Sequence, residues 1–112
     1  FGHDTGDRVL IYLGEKLKDH ARLLNGEVYR YGGEEFIILS FISKGEIISK
    51  LNNLRLDIKS QRIYHSKRDI SVTVSMGVSF YKECSSKEEM IKRADDGLYI
   101  AKNNGRDRIE FA

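Results

Sequence analysis

Two adjacent glycines followed by two adjacent carboxylates stand between apolar runs in the segment Arg30-Tyr31-Gly32-Gly33-Glu34-Glu35-Phe36. Glycine lacks the Cβ that would hold a backbone away from a phosphate or a base. Paired carboxylates collect a hard cation such as Mg²⁺ through oxygen. Phosphoryl chemistry needs both features together. The same residues also make a good hairpin turn with a solvated tip, so the segment taken alone fits either role.

Positive groups that could meet an anionic ligand are few. Arg68 falls in a turn region, and Lys102 and Arg106 flank a glycine near the end of the chain. The formal net charge is +2, with both signs interspersed. A nucleic-acid polymer would need lysines and arginines segregated on one face, so a small anionic ligand is the better match.

The elements that must position these groups are legible in the periodicity. From Asp7 to Leu24 the apolar residues Leu10, Leu13, Leu17, Ala21 and Leu24 recur at helical spacing, leaving Arg8, Glu15, Lys18 and Asp19 for solvent. Asn25-Gly26 ends that helix with a residue tolerant of left-handed geometry. Residues 27–31 read as a strand, the Gly-Gly-Glu-Glu turn comes next, and 36–42 is the continuous apolar run of a strand buried on both faces.

Ser43 with Glu46 has the form of a capping box, and Ile47, Leu51, Leu54 and Ile58 make the stripe of a second helix. A short strand is expected at 63–65 and a loop at 66–69. A strict alternation then runs from Ile70 to Phe80. Ser85 with Glu88 suggests another capping box, Ile91, Ala94, Leu98 and Ala101 continue at helical spacing, and Gly105 lies where a C-terminal cap belongs. Residues 108–111 can form a last strand. The order helix, hairpin, helix, strand, helix, strand describes an α+β sandwich, with helices packed over a mainly antiparallel sheet.

A chain of 112 residues makes one domain, able to bury about two thirds of its unfolded surface without staples. Cys84 is the only cysteine, which rules out an internal disulfide and fits a reducing cytosolic compartment. With no apolar run approaching a membrane span and no signal peptide pattern, the chain is expected to be soluble and cytoplasmic.

Four separated segments resemble the GGDEF domains of diguanylate cyclases, which join two GTP molecules into cyclic di-GMP. Gly2-His3-Asp4-Thr5-Gly6-Asp7 is similar to the family's G-H-x-x-G-D, and Gly32 to Phe36 is the G-G-E-E-F form of the naming motif. Ser75-Met76-Gly77-Val78 resembles the S-x-G strand. The stretch from Ala94 to Arg108 resembles the closing A-D-x-A-L-Y-x-A-K-x-x-G-R-N-R segment. Order and spacing agree along nearly the whole chain.

The resemblance implies a palm-like, ferredoxin-like fold and a set of roles. Gly32 and Gly33 would hold the nucleotide closely. Glu34 and Glu35 would bind Mg²⁺ (or Mn²⁺) and handle protons during attack by a ribose 3′-hydroxyl, with the two roles undivided between them. Asp7 would read the guanine edge, although a carboxylate in a first helical turn is also favoured by the helix dipole. Lys102 and Arg106 would meet the triphosphate; a lysine in a last helical turn is likewise favoured without any ligand, and Arg106 has the more suitable fixed donors. His3 is read as a loop-ordering residue and not as a catalyst.

Because each family domain holds one GTP and the product is two-fold symmetric, a homodimer with equivalent faces is implied, driven in the family by an attached sensory or regulatory domain. Family members also carry a strand and turn of the form D-x-D-x-F-K-x-I-N-D ahead of G-H-x-x-G-D, contributing a metal ligand, a guanine contact and a phosphate cradle. The chain begins at Phe1, after that segment, so the expectation is a fragment of a larger signalling protein whose first family strand is absent here and whose activity is impaired as it stands. Leu23 and Gly26 occupy the places of the R-x-x-D feedback motif, with Arg22 displaced by one residue or roughly 100° around a helix, so no inhibitory site is expected. The alternative function is a degenerate domain that binds GTP or a partner protein without turnover.

Overall fold

A computed structural model of the chain describes residues 3–32 and 35–111, with the side chains of 3, 4 and 32 outside the description. Its elements are α1 (His3–Leu23), β1 (Gly26–Gly32), β2 (Glu35–Ser40), α2 (Lys44–Ser60), β3 (Ile63–His65), β4 (Arg68–Ile70), β5 (Met76–Val78), a 3₁₀ turn at Tyr81–Glu83, α3 (Lys87–Asn103) and β6 (Ile109–Phe111). They divide into two units, residues 1–72 and 73–112.

In the first unit α1 packs against β1, α2 and β3. The stripes anticipated from periodicity supply the core: Leu17 and Ala21 from α1 with Leu24 just after it, and Ile47, Leu51, Leu54 and Ile58 from α2, joined by Ile63 and Ile70. Leu54 and Ile58 are completely enclosed. Asn25 ends α1 with φ 46°, and its carbonyl accepts a hydrogen bond from the Phe41 amide, 3.2 Å. That bond draws the far end of β2 back to the start of β1.

Ser43 caps α2 by accepting from the Glu46 amide. At the next hairpin, Ser66 and Lys67 both adopt positive φ, which lets β3 and β4 join through a two-residue turn. The strand therefore resumes at Arg68, two residues earlier than a loop over 66–69 would allow.

In the second unit α3 lies on β5 and β6, which pair in parallel. Its cap is Ser86, accepting from the Glu89 amide at 3.0 Å, one residue later than the Ser85/Glu88 pairing expected. The Glu89 carboxylate instead accepts from the Ser85 amide, so both serines are used. Gly97 and Ala101 are buried on the sheet side of α3. Gly105, at φ +115°, ends the helix as expected.

Helices over sheet is the observed arrangement, with the pairing among the described residues in three two-stranded pieces: β1 with β2 and β3 with β4 antiparallel, β5 with β6 parallel. Two expectations shift. β2 is half-buried along its length, not buried on both faces, and of the alternating run from Ile70 to Phe80 only Met76–Val78 is laddered beyond Ile70. Val72 and Val74 remain more covered than Ser71 and Thr73. Alternation reports which way side chains face; a ladder additionally needs a neighbour in hydrogen-bond register.

Candidate functional site

Glycine and carboxylate meet at the end of the β1–β2 hairpin. From Gly26↔Ser40 to Arg30↔Phe36 the strands pair in unbroken register, and the ladder then slips by one residue so that Gly32 stands opposite Glu35. Tyr31 is the residue left over, and its ring is exposed. Such a slip bends a strand and re-aims the side chains beyond it. Glu35 opens β2 as an exposed carboxylate, while Gly33 and Glu34 lie outside the described residues.

Below the tip, α1 and the hairpin enclose an open hollow of about 370 Å³ lined by Asp7, Leu10, Ile11, Arg30 and Phe36. Asp7 is the fifth residue of α1, beyond the first turn where the helix dipole alone would favour a carboxylate. Its position in a cavity wall is thus not accounted for by helix electrostatics. Residue periodicity did not single out Arg30. Its signal was its place two residues before Gly32 and, through the hairpin register, opposite Phe36.

The orientation of α1 is held by a polar lock on α2. Tyr12 donates to the Ile58 carbonyl at 3.0 Å. One helical turn on, Lys16 Nζ lies 3.3 Å from Asp57 Oδ2, and after another turn His20 Nε2 lies 2.8 Å from the same oxygen. Gln61 Nε2 donates to Asp57 Oδ1 at 3.2 Å. The hydrogen bond from His20 and then those from Lys16 hold the Asp57 carboxyl below its ordinary pKa, against the opposing effect of burial. Burial, assisted by the Asp57 charge, pushes the Tyr12 phenol up. These residues at spacing i, i+4, i+8 share one face of α1 and fix the helix that carries Asp7.

In the second unit Lys102 occupies the last turn of α3 and Arg106 comes just after the capping glycine; both are exposed. The Arg106 amide donates back to the Ala101 carbonyl at 2.9 Å. Gly105, Arg106 and Asp107 all have positive φ. For the two residues that carry a Cβ this conformation costs about 1–2 kcal/mol each, so the turn is held against local preference. The dipole explanation for Lys102 still applies, whereas Arg106 lies beyond the last helical turn, where that effect falls off.

No group of three or more His, Cys, Asp or Glu side chains converges on a point among the described residues. The exposed Glu35 carboxylate is an oxygen donor of the kind that suits Mg²⁺, which keeps waters and is commonly held by one or two carboxylates together with substrate phosphates. Among the described residues no helix is long and apolar enough to cross a membrane.

The profile of the family described as "Diguanylate cyclase, GGDEF domain" matches residues 1–108. Diguanylate cyclase DosC of Escherichia coli K12 is 34% identical over 113 aligned positions, covering 99% of this chain and 24% of that protein. The chain thus spans about a quarter of the length of that curated relative. Among solved structures, the GGDEF domain of DgcB from Caulobacter crescentus in complex with c-di-GMP superposes with a TM-score of 0.88 at 30% identity, over 99% of this chain and 67% of that one. The active GGEEF domain of a diguanylate cyclase from Vibrio cholerae gives a TM-score of 0.76 at 29% identity, over 99% and 70%. With the glycine–carboxylate hairpin, Asp7 on its neighbouring helix and a family match over nearly every residue, the chain belongs to the GGDEF domain family of the diguanylate cyclases.

Proposed function

We propose that this domain condenses two GTP molecules into cyclic di-GMP with release of pyrophosphate, as part of a larger signalling protein in the cytoplasm. The observation that carries the reading is the hairpin: Gly32 is paired opposite Glu35, and the preceding pair of the ladder, Arg30 and Phe36, lines a hollow together with Asp7. A relative whose domain bears the same G-G-E-E-F form is described as active.

In this reading Asp7 takes the hydrogen-bond donors of the guanine edge. Gly32 and Gly33 let the nucleotide approach the backbone, because neither presents a Cβ. Glu34 and Glu35 hold Mg²⁺ or Mn²⁺, and the ion when bound supplies neutralisation of phosphate charge. Lys102 and Arg106 offset charge on the triphosphate, the guanidinium through fixed paired donors. Glu34 and Glu35 also orient and deprotonate the attacking ribose 3′-hydroxyl. The product has two-fold symmetry, so two domains, each carrying one GTP, face one another as equivalent partners.

The retained pair of carboxylates favours turnover over the alternative of a degenerate GTP-binding module. Incubating the full-length protein with GTP and Mg²⁺ and monitoring the cyclic dinucleotide by mass spectrometry decides the matter. Product that disappears in the Glu35→Gln variant supports the cyclase; tight GTP binding with no product would show the module instead.

A further inference from the structure

The hollow of the first unit has polar groups of opposite sign, Asp7 from α1 and Arg30 from β1, set in an apolar lining of Leu10, Ile11 and Phe36. Arg30 stands directly opposite Phe36 in the ladder, so both side chains leave the same face of the hairpin. The register slips immediately after that pair. Arg30 is therefore set by the regular part of the ladder, with the hollow, whereas Glu35 is set by the part beyond the slip, at the tip.

A flat ring with apolar faces and a strongly polarised edge suits this lining. Guanine presents its N1–H and N2 amino donors on one edge and the acceptors O6 and N7 on the next. A carboxylate can satisfy the first pair. A guanidinium, with rigid forked donors, satisfies the second. Adenine offers an amino donor where guanine has O6, and would set donor against donor.

We infer that Arg30 is a specificity-determining residue that reads guanine O6 and N7 while Asp7 takes the donors of the adjoining edge. The inference rests on the GTP reading above and adds Arg30 to the protein groups that meet the base.

Binding of GTP, ATP and 7-deaza-GTP to the full-length protein, measured by calorimetry for the unsubstituted chain, Arg30→Ala and Arg30→Lys, tests it. Arg30→Ala should weaken GTP roughly ten- to a hundredfold, the range of one bidentate base contact, and leave ATP nearly unchanged. Arg30→Lys keeps the charge but loses the fork, and should lose most of the part of the GTP preference that Arg30→Ala loses, leaving the part due to Asp7. Replacing N7 by carbon should weaken binding to the unsubstituted chain and add little in Arg30→Ala. The inference is overturned if Arg30→Ala weakens GTP and ATP alike, which indicates a phosphate or structural role, or if the 7-deaza penalty is the same in both proteins. An unsubstituted chain that binds no GTP overturns the cyclase reading itself and removes the ligand on which this inference depends.

Discussion

A Cβ added to Gly97 of α3 would lie 3.2 Å from the Cα of Gly77 in β5, so helix and strand meet glycine to glycine. The closeness decides where the last turn of α3, with Lys102, sits on the β5–β6 pair. The two glycines are not equivalent. A Cβ on Gly77 would be 1.9 Å from the Ala94 carbonyl oxygen and 2.2 Å from the Leu98 amide nitrogen, both backbone atoms that cannot turn aside. Gly77→Ala is expected to destabilise by about 3 kcal/mol or more, at the upper end of overpacking costs. Gly97→Ala meets two tighter-than-usual contacts, 3.1 Å to the Glu110 carbonyl and 3.2 Å to the Gly77 Cα, and gains about 1 kcal/mol of helix propensity, so it should change stability by less than about 1 kcal/mol. Urea unfolding of the two variants checks the order; equal effects would contradict it.

Asp57 makes the α1–α2 lock sensitive to acid. Its carboxyl has a lowered pKa in the folded chain, through His20 first and Lys16 next. The charged form is favoured by folding, so its contribution is complete above the unfolded carboxylate value and is lost as pH falls through the folded one. Asp57→Asn should cost about 1 kcal/mol near neutral pH, allowing for partial solvent access to the pair. The unsubstituted chain should lose more stability than Asp57→Asn between pH 6 and pH 3. Parallel thermal melts across that range would exclude the lock as a source of acid sensitivity.

Glu35 is exposed at the first position of β2, where its neutral isostere disturbs no core packing. Glu35→Gln is expected to fold with an unchanged melting temperature and to lose turnover on the order of a hundredfold, as for one preorganised electrostatic partner. Retention of half the activity would contradict its assigned chemistry.

Ser86 is the working cap of α3. Ser86→Ala should cost about 1 kcal/mol, while Ser85→Ala leaves the cap bond to the Glu89 amide intact and should cost less. Chemical denaturation of the two single variants distinguishes them, and a larger loss for Ser85 would assign the cap to the wrong serine.

Arg22 is exposed in the last turn of α1, with Leu23 and Gly26 shortly after it. A feedback site of the R-x-x-D kind is not expected in that arrangement. Calorimetry with cyclic di-GMP should detect no binding that is lost in Arg22→Ala; binding that depends on Arg22 would reverse this expectation.

Periodicity and turn chemistry were enough to locate the helices, apart from the start of α1 at His3, four residues ahead of the Asp7 expected and within what was read as a loop, because a helix buries a stripe whose members are near neighbours in sequence. Ile47, Leu51, Leu54 and Ile58 were all identifiable as core, and Asn25 and Gly105 as helix ends, before any tertiary information. The Gly32–Glu35 hairpin was legible for the same local reason. Tertiary structure alone decided the one-residue slip at Tyr31, the hollow shared by Asp7 and Arg30, and the convergence of Tyr12, Lys16 and His20 on α2. Each of these depends on register or on the approach of segments far apart in the chain, and a residue's type does not specify which distant backbone will stand opposite it.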